Sequence, residues 1–465
     1  MEQLQQTVME LRAQVAALTA AVQSMQAGKA QPSPVSYFVD AEDGPHTVSG
    51  LESASLHLTQ DSQSASPAPT VAPPALSAED RGILDYLKTS TVNVLVDGYY
   101  AYNFNQPIGR VNLLRAYDVS SNAFSLNQAA VVFERAADPA AGRRWGTRLD
   151  LQFGQATATL QGNPSNEHRP DIYRNIFQAY GTYVLPFGSG INVDFGKWAS
   201  SLGYESNYTK DQWNYSRAYW FNFLPFYHEG FRVKYQVNSK FGLQYWLVNG
   251  TNQTEPTNGF KDEMFGFTLS PSKKLIWTSN YYFGQENPDA APATNCGPAP
   301  VQPGLCFVAI RPAPDGKIHI FDNYFTWLAT SRWTFALEGD YVVQRIWADA
   351  ALGKDSAPAH TWGGSAYAVY QLTPKQLIAA RAEYLQDRGS YFTGGLFSGV
   401  TEALKEVTLT YSHNVADGLQ FKTEWRRDWS NVPIFLSSTQ GVFSNDQNTA
   451  TLGLIWWFGR KEGSW

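Results

Sequence analysis

Charged residues spaced two apart are the side chains of this sequence best placed to do chemistry. Arg148 and Asp150, Arg232 and Lys234, Glu338 and Asp340, Arg381 and Glu383, and the run Lys422, Glu424, Arg426 and Asp428 all follow this spacing. In an extended chain, residues two apart share one face. Ionised groups on one face of neighbouring strands can line a water-filled path or bridge one another along its wall. The two signs balance, so neither cation nor anion preference is expected from them.

Nucleophilic and metal chemistry have little support. Of the seven histidines, His46, His57 and His168 fall in linker or loop, and His360 and His413 fall near the ends of expected strands. His319 sits within Lys317-Ile318-His319-Ile320, and His228 precedes Glu229, which in a strand points the opposite way. No Gly-x-Ser-x-Gly elbow, His-Glu-x-x-His pair or phosphate loop occurs. An enzyme, a cofactor and a metal centre are therefore not expected. The net charge of −6 supplies no basic stripe for nucleic acid. Cys296 and Cys306, the only two cysteines, flank a Pro/Gly-rich stretch and would close a small loop disulfide in an oxidising compartment. A metal site built on the two cysteines would need further ligands, and the same loop offers no His or third Cys.

The elements that must position these charges follow from periodicity. Aromatics make up 14% and charged residues 16% of the chain, the latter well below the roughly 25% of soluble domains. Mean hydropathy is nevertheless −0.33, and no run of about 18 apolar residues could span a bilayer as a helix. Apolar and polar residues are interleaved instead, as when one face of each strand meets lipid and the other meets water. A helical membrane protein is excluded.

From Thr91 onward the pattern has a period of two. Trp145, Thr147, Leu149, Leu151 and Phe153 oppose Arg148, Asp150 and Gln152, and Leu419, Phe421, Thr423, Trp425 and Trp429 oppose Lys422, Glu424, Arg426 and Asp428. Arg427 falls on the apolar face, where a long side chain can reach headgroups. About 16 strands (14–18) are expected, near 91–103, 122–135, 145–158, 174–186, 190–199, 227–238, 240–250, 260–270, 273–285, 316–329, 331–347, 361–372, 375–388, 402–413, 418–430 and 448–459. The fold class is all-β, a transmembrane antiparallel β-barrel over 91–465. Short and long connections alternate, which is the habit of such barrels, with short turns periplasmic and long loops outside. Residues 200–226, 286–315 and 348–360 then lie at the outer mouth, with the cysteine pair. The stretch Gly203 to Pro225 holds Tyr204, Tyr208, Trp213, Tyr215, Tyr219, Trp220 and Phe221, aromatics that need burial, so it is expected to fold inward. Few large apolar residues fall on the lumen faces, so a dry interior is not expected.

The last strand carries Leu452, Leu454, Trp456 and Phe458 on one face and Thr451 and Gly453 on the other. Thr451, Gly453, Trp456 and Phe458 resemble the assembly signal that barrel-assembly machinery recognises in a closing strand. At the other end Leu4, Val8, Leu11, Val15, Leu18, Val22 and Met25 are spaced 4, 3, 4, 3, 4, 3, so residues 1–27 are expected to form a short coiled coil. Val at a with Leu at d leans toward two strands, but charge pairs at e and g are lacking, so a homo-oligomer, dimer or trimer, is expected without its number being set. Residues 28–90 are rich in Pro, Ser and Ala and read as a linker, with a short helix possible at 78–87. The opening Met1-Glu2-Gln3-Leu4 lacks a basic and then apolar signal, which is expected upstream of it or to have been removed.

The heptads, the Pro-rich linker, Val94-Leu95-Val96-Asp97-Gly98-Tyr99-Tyr100, Asn192-Val193-Asp194-Phe195-Gly196-Lys197 followed by Gly203-Tyr204-Glu205, and the ending from Trp456 to Trp465 together resemble the OmpL-like outer-membrane β-barrel porins. The resemblance implies an outer-membrane location, contact with outer-membrane lipid and the barrel-assembly machinery, and passive diffusion of small hydrophilic solutes. The alternative is a structural or adhesive barrel joined to the cell wall through the coiled coil, its N-terminal segment lying in the periplasm.

Overall fold

A computed structural model of the chain describes residues 85–160, 167, 169–292, 307–309, 317–344, 347–349, 354–355, 358–389, 391–393, 400–461 and 464–465. The expected coiled coil at 1–27, most of the linker at 28–90, and the Cys296/Cys306 pair lie outside these residues. Of the helix expected at 78–87, residues 85–87 are described, and the helix there runs over 85–88.

Sixteen antiparallel strands close into a barrel. In chain order they are β1 (Thr91–Asn103), β2 (Ala123–Arg135), β3 (Trp145–Phe153), β4 (Ile176–Leu185), β5 (Ile191–Ala199), β6 (Tyr227–Asn238), β7 (Phe241–Val248), β8 (Asp262–Ser272), β9 (Leu275–Gly284), β10 (Ile318–Leu328), β11 (Trp333–Gln344), β12 (Ala359–Thr373), β13 (Gln376–Arg388), β14 (Thr401–Ala416), β15 (Leu419–Ser430) and β16 (Asp446–Phe458). Each pairs with its sequence neighbour, and β16 closes on β1 in the register Val94↔Phe458 to Asn103↔Thr449. All sixteen expected strands are present. The largest disagreements in their bounds come at the long connections, where Pro, Gly and aromatic residues blur the period. Short two-stranded ribbons decorate three of those connections: Ala290–Pro292 with Phe307–Ala309, Trp347–Asp349 with Lys354–Asp355, and Phe435–Leu436 with Phe443–Ser444.

The period of two sorts side chains onto two surfaces. On β16, Thr449, Thr451 and Ile455 are buried in the lumen while Leu452, Leu454, Trp456 and Phe458 are exposed outside. Phe195, Leu337, Leu409 and many others extend this outer apolar band. Aromatics ring it at the short-turn end, where Trp333 stacks on Phe335 at 5.5 Å and packs on Tyr370 at 4.7 Å, the girdle expected where a barrel meets the membrane–water interface. Arg427 does face outward and pairs with Asp446 at 3.2 Å, close to the long-loop end of β15.

A wall of sixteen strands is wide enough to enclose an aqueous channel unless something fills it. Residues 200–226 leave β5 and fold into the lumen before the chain resumes as β6. Gly196 (φ +128°) and Gly230 (φ +153°) are register partners just before and after this departure. A Cβ at either would lie 2.3 Å from a carbonyl of the adjoining strand, so only glycine allows this close approach.

The interior is drier than its charge pattern suggests. Trp198, Trp246, Met264, Tyr282, Ile318, Ile320, Val342, Leu385 and Leu404 all face inward near the long-loop end and form one apolar cluster with Tyr219, Trp220 and Leu224 of the inward segment. This corrects the expectation that nothing dry fills the lumen. The error came from strands such as β9, whose two faces both carry aromatics; the register resolves them, with Tyr282 inward and Tyr281 and Phe283 only partly buried on the other face.

Candidate pore constriction

The inward segment is held by wall charges that grip its backbone. Glu424 accepts hydrogen bonds from the Tyr215 and Ser216 amides at 2.6 and 3.0 Å, and from the Thr410 hydroxyl at 2.7 Å. Glu383 does the same for the Tyr219 and Trp220 amides at 2.7 and 2.9 Å. Lys422 donates to the carbonyls of Thr209, at 3.0 Å, and of Gln212. Arg426 donates to the Arg217 carbonyl, and Arg381 to the Ser216 carbonyl at 2.8 Å while pairing with Glu205 at 2.7 Å. Buried backbone groups must find partners, and those supplied here are charged, which makes the bonds the stronger kind.

Side chains of the segment reach the wall on β1, β3 and β15. Tyr208 donates to Asp150 at 2.8 Å, Tyr215 to Asp97 at 2.9 Å and Tyr219 to Asp428 at 2.6 Å. Burial, followed by the neighbouring carboxylate, pushes each of these phenols well above its ordinary range, so all three remain donors. Burial also pushes Tyr204 up to about 12. Tyr215 packs over Gly453 of β16, where a Cβ would lie 2.3 Å from its ring. The glycine read as part of an assembly signal therefore also seats the inward segment. The chain after β16 turns back to meet it: Lys461 pairs with Glu134 at 2.6 Å, and the Trp465 ring lies 5.8 Å from that of Tyr208.

All twelve charges singled out from the sequence lie on lumen faces, but they divide into groups. Arg381, Glu383, Lys422, Glu424, Arg426 and Asp428 are buried beneath the inward segment, with Arg426 paired to Asp428 at 2.7 Å and Asp428 also to Arg115 at 2.7 Å. Glu338 and Asp340 are buried beside Asp322. Arg148 pairs with Asp150 at 2.8 Å, and Arg232 with Asp194 at 2.8 Å. Lys234 is exposed to the lumen. Open space remains along β2 to β10 toward the short-turn end. One cavity of about 370 Å³ is lined by Asn192, Lys234, Gln244, Thr268, Thr278 and Tyr324 among others. Another of about 290 Å³ is lined by Glu134, Arg148, Asp194, Arg232 and again Asn192 and Lys234.

Sequence reasoning missed Asp97, Arg115, Asp194, Asp322 and Glu406. Asp97 and Asp194 were findable, since each sits opposite an apolar face on a strand already recognised. Arg115 lies in a connection, where no period applies. His228, set aside because Glu229 points the opposite way, is fully buried, its Nδ1 3.1 Å from the Gly250 carbonyl and its Nε2 3.1 Å from the Ser200 hydroxyl. A carbonyl rather than a carboxylate stands behind the ring, and Trp246 and Tyr282 cover it at 4.9 and 5.5 Å. The pair anchors the start of the inward segment.

A closed sixteen-strand wall, an apolar outer band and a long connection folded into the lumen define an outer-membrane β-barrel of the porin class. The chain belongs to the family described as "Putative beta-barrel porin-2, OmpL-like", which it matches over residues 89–458. No curated protein matches it in sequence. Among solved structures it is similar to a loop L8 deletion mutant of OmpT, an outer membrane protein of Vibrio cholerae (11% identity, 80% of this chain and 100% of that one, TM-score 0.49). It is similar also to the outer membrane channel DcaP of Acinetobacter baumannii (9%, 79% and 97%, 0.48) and to an anion-selective porin from Comamonas acidovorans (11%, 79% and 99%, 0.47).

Proposed function

We propose that this porin passes small hydrophilic solutes by passive diffusion along the polar side of the lumen that residues 200–226 leave open. The carrying observation is the pair of polar cavities that share Asn192 and Lys234. Around the second, Arg148, Arg232 and Lys234 face Glu134 and Asp194, while Arg135 on its rim turns away over Trp145; the inward charges leave an excess of one positive, so small anions are weakly preferred. Only charges bordering open space count toward this preference, which is why it differs from the balanced tally of the whole sequence. The short-turn end faces the periplasm, and the long loops face outward. The barrel-assembly machinery reads β16, and residues 1–27 join copies of the chain. The reading assigns no catalytic residue.

The test is conductance of the refolded protein in a planar bilayer under a salt gradient. Discrete openings with a reversal potential on the anion side support the proposal. A second reading, a structural or adhesive barrel, is favoured by the extent of the clamp, which draws on β1, β3, β13 and β15. Silence from folded protein selects it.

A further inference from the structure

The wall beneath the start of the inward segment holds three carboxylates with no counter-charge among the described residues. Asp322 on β10 and Asp340 on β11 are directly opposed in register, and Glu338 lies two residues along the same face. Like charges opposed across a strand pair destabilise it. Here one oxygen from each group lies within 4.8 Å of the others. The three residues are 0%, 5% and 7% exposed for Asp322, Asp340 and Glu338. Asp322 accepts from the Asn280 amide at 2.7 Å and Glu338 from the Tyr204 amide at 2.8 Å. The Gly203 amide also serves Asp322; no other N–H or hydroxyl among the described residues reaches the second oxygen of either or any oxygen of Asp340, and Asp322 and Asp340 have each other in hydrogen-bond reach.

Asp340 is the telling member, a buried carboxylate that no N–H or hydroxyl among the described residues serves and whose neighbour in hydrogen-bond reach is another acid, Asp322. Elsewhere in this lumen Asp150 has Arg148, Asp194 has Arg232 and Asp428 has Arg115 and Arg426, while the Asp262 and Glu286 pair is met by neutral donors from Tyr282, Gln285, Thr251 and Gln253. Arg381, two strands from Asp340, is taken by Glu205 and Glu406. A buried charge of this kind needs compensation, and no Lys or Arg among the described residues pairs with any of the three.

We propose that Asp322, Glu338 and Asp340 bind a hard divalent cation of the calcium class. The donor set is all oxygen, which suits hard cations rather than zinc or copper. Four oxygens that no N–H or hydroxyl among the described residues serves, two of them on Asp340, suit the larger coordination number and looser geometry of Ca²⁺ better than the strict octahedron of Mg²⁺. Glu338 also holds the Tyr204 amide, so the ion fastens the first turn of the inward segment to the wall. The site stands whether or not the barrel conducts.

The test is calorimetric titration of refolded, chelator-treated full-length protein with CaCl2 and, separately, MgCl2, with melting followed by heat-induced mobility shift. One Ca²⁺ per chain and a higher melting temperature are expected. Asp340→Asn should weaken binding by about tenfold or more. In chelator it should also melt above the wild type, because it removes a like charge. If Asp340→Asn does not fold, Asp322→Asn carries the same expectations. Absence of both binding and shift at millimolar Ca²⁺ in folded wild type overturns the proposal, as does binding undiminished in a folded variant. Binding of Mg²⁺ alone overturns the assignment to the calcium class.

Discussion

Replacing Glu424 by glutamine should loosen the inward segment without opening the barrel. The carboxylate accepts two consecutive segment amides and one wall hydroxyl, and glutamine keeps a single acceptor oxygen while turning an NH2 toward a donor. Lys422, two residues along the same face, loses its neighbouring negative charge. One lost charge-assisted bond plus a mismatched donor amounts to about 2–3 kcal/mol, so opening of the segment becomes about 30- to 140-fold more frequent. Because the β14, β15 and β16 ladders do not involve this side chain, the barrel should keep its heat-modifiable mobility. Amide exchange of Tyr215 and Ser216 reads the effect directly, and single-channel traces should become noisier or larger. Unchanged exchange and unchanged traces in a folded variant would refute the idea that wall carboxylates clamp the segment.

Lys234→Glu should move the reversal potential toward cations, because it turns an excess of one positive charge around the open cavity into an excess of one negative charge. Gly453→Leu should displace Tyr215 and destabilise the fold by about 1–3 kcal/mol, seen as a lower melting temperature in the mobility-shift assay. Removal of residues 1–27 should abolish cross-linked oligomers while leaving conductance per barrel intact, since none of the sixteen barrel strands draws on them. Thiol titration of the denatured, unreduced protein should find no free thiol, and two after reduction, if Cys296 and Cys306 are joined.

The strands were legible because each carries its own evidence: a lipid face and a water face alternate residue by residue, as Leu419 to Trp429 show. The inward course of residues 200–226 was also legible, since a stretch so rich in aromatics has no stable place in water. How the segment is held was not. Glu383 and Glu424 meet amides 164 and 209 residues away in sequence, and no periodicity encodes such partners. A charge facing the lumen reads the same whether it meets water or a buried backbone, so the pattern alone does not separate Glu383 and Glu424, which hold segment amides, from Lys234, which is exposed. The dry layer was hidden for a related reason. Trp198, Trp246 and Tyr282 lie on strands with aromatics on both faces, where a count of apolar residues does not choose a side. Asp322 escaped notice on just such a strand, between Phe321 and Tyr324.

The central claim is that the polar side of the lumen conducts past a fixed inward segment. Single-channel recording of the refolded, demonstrably folded protein tests it most directly. The account predicts small, discrete, long-lived openings with a weak anion preference. No openings from folded barrels would contradict it and leave a plugged wall with a structural or adhesive role.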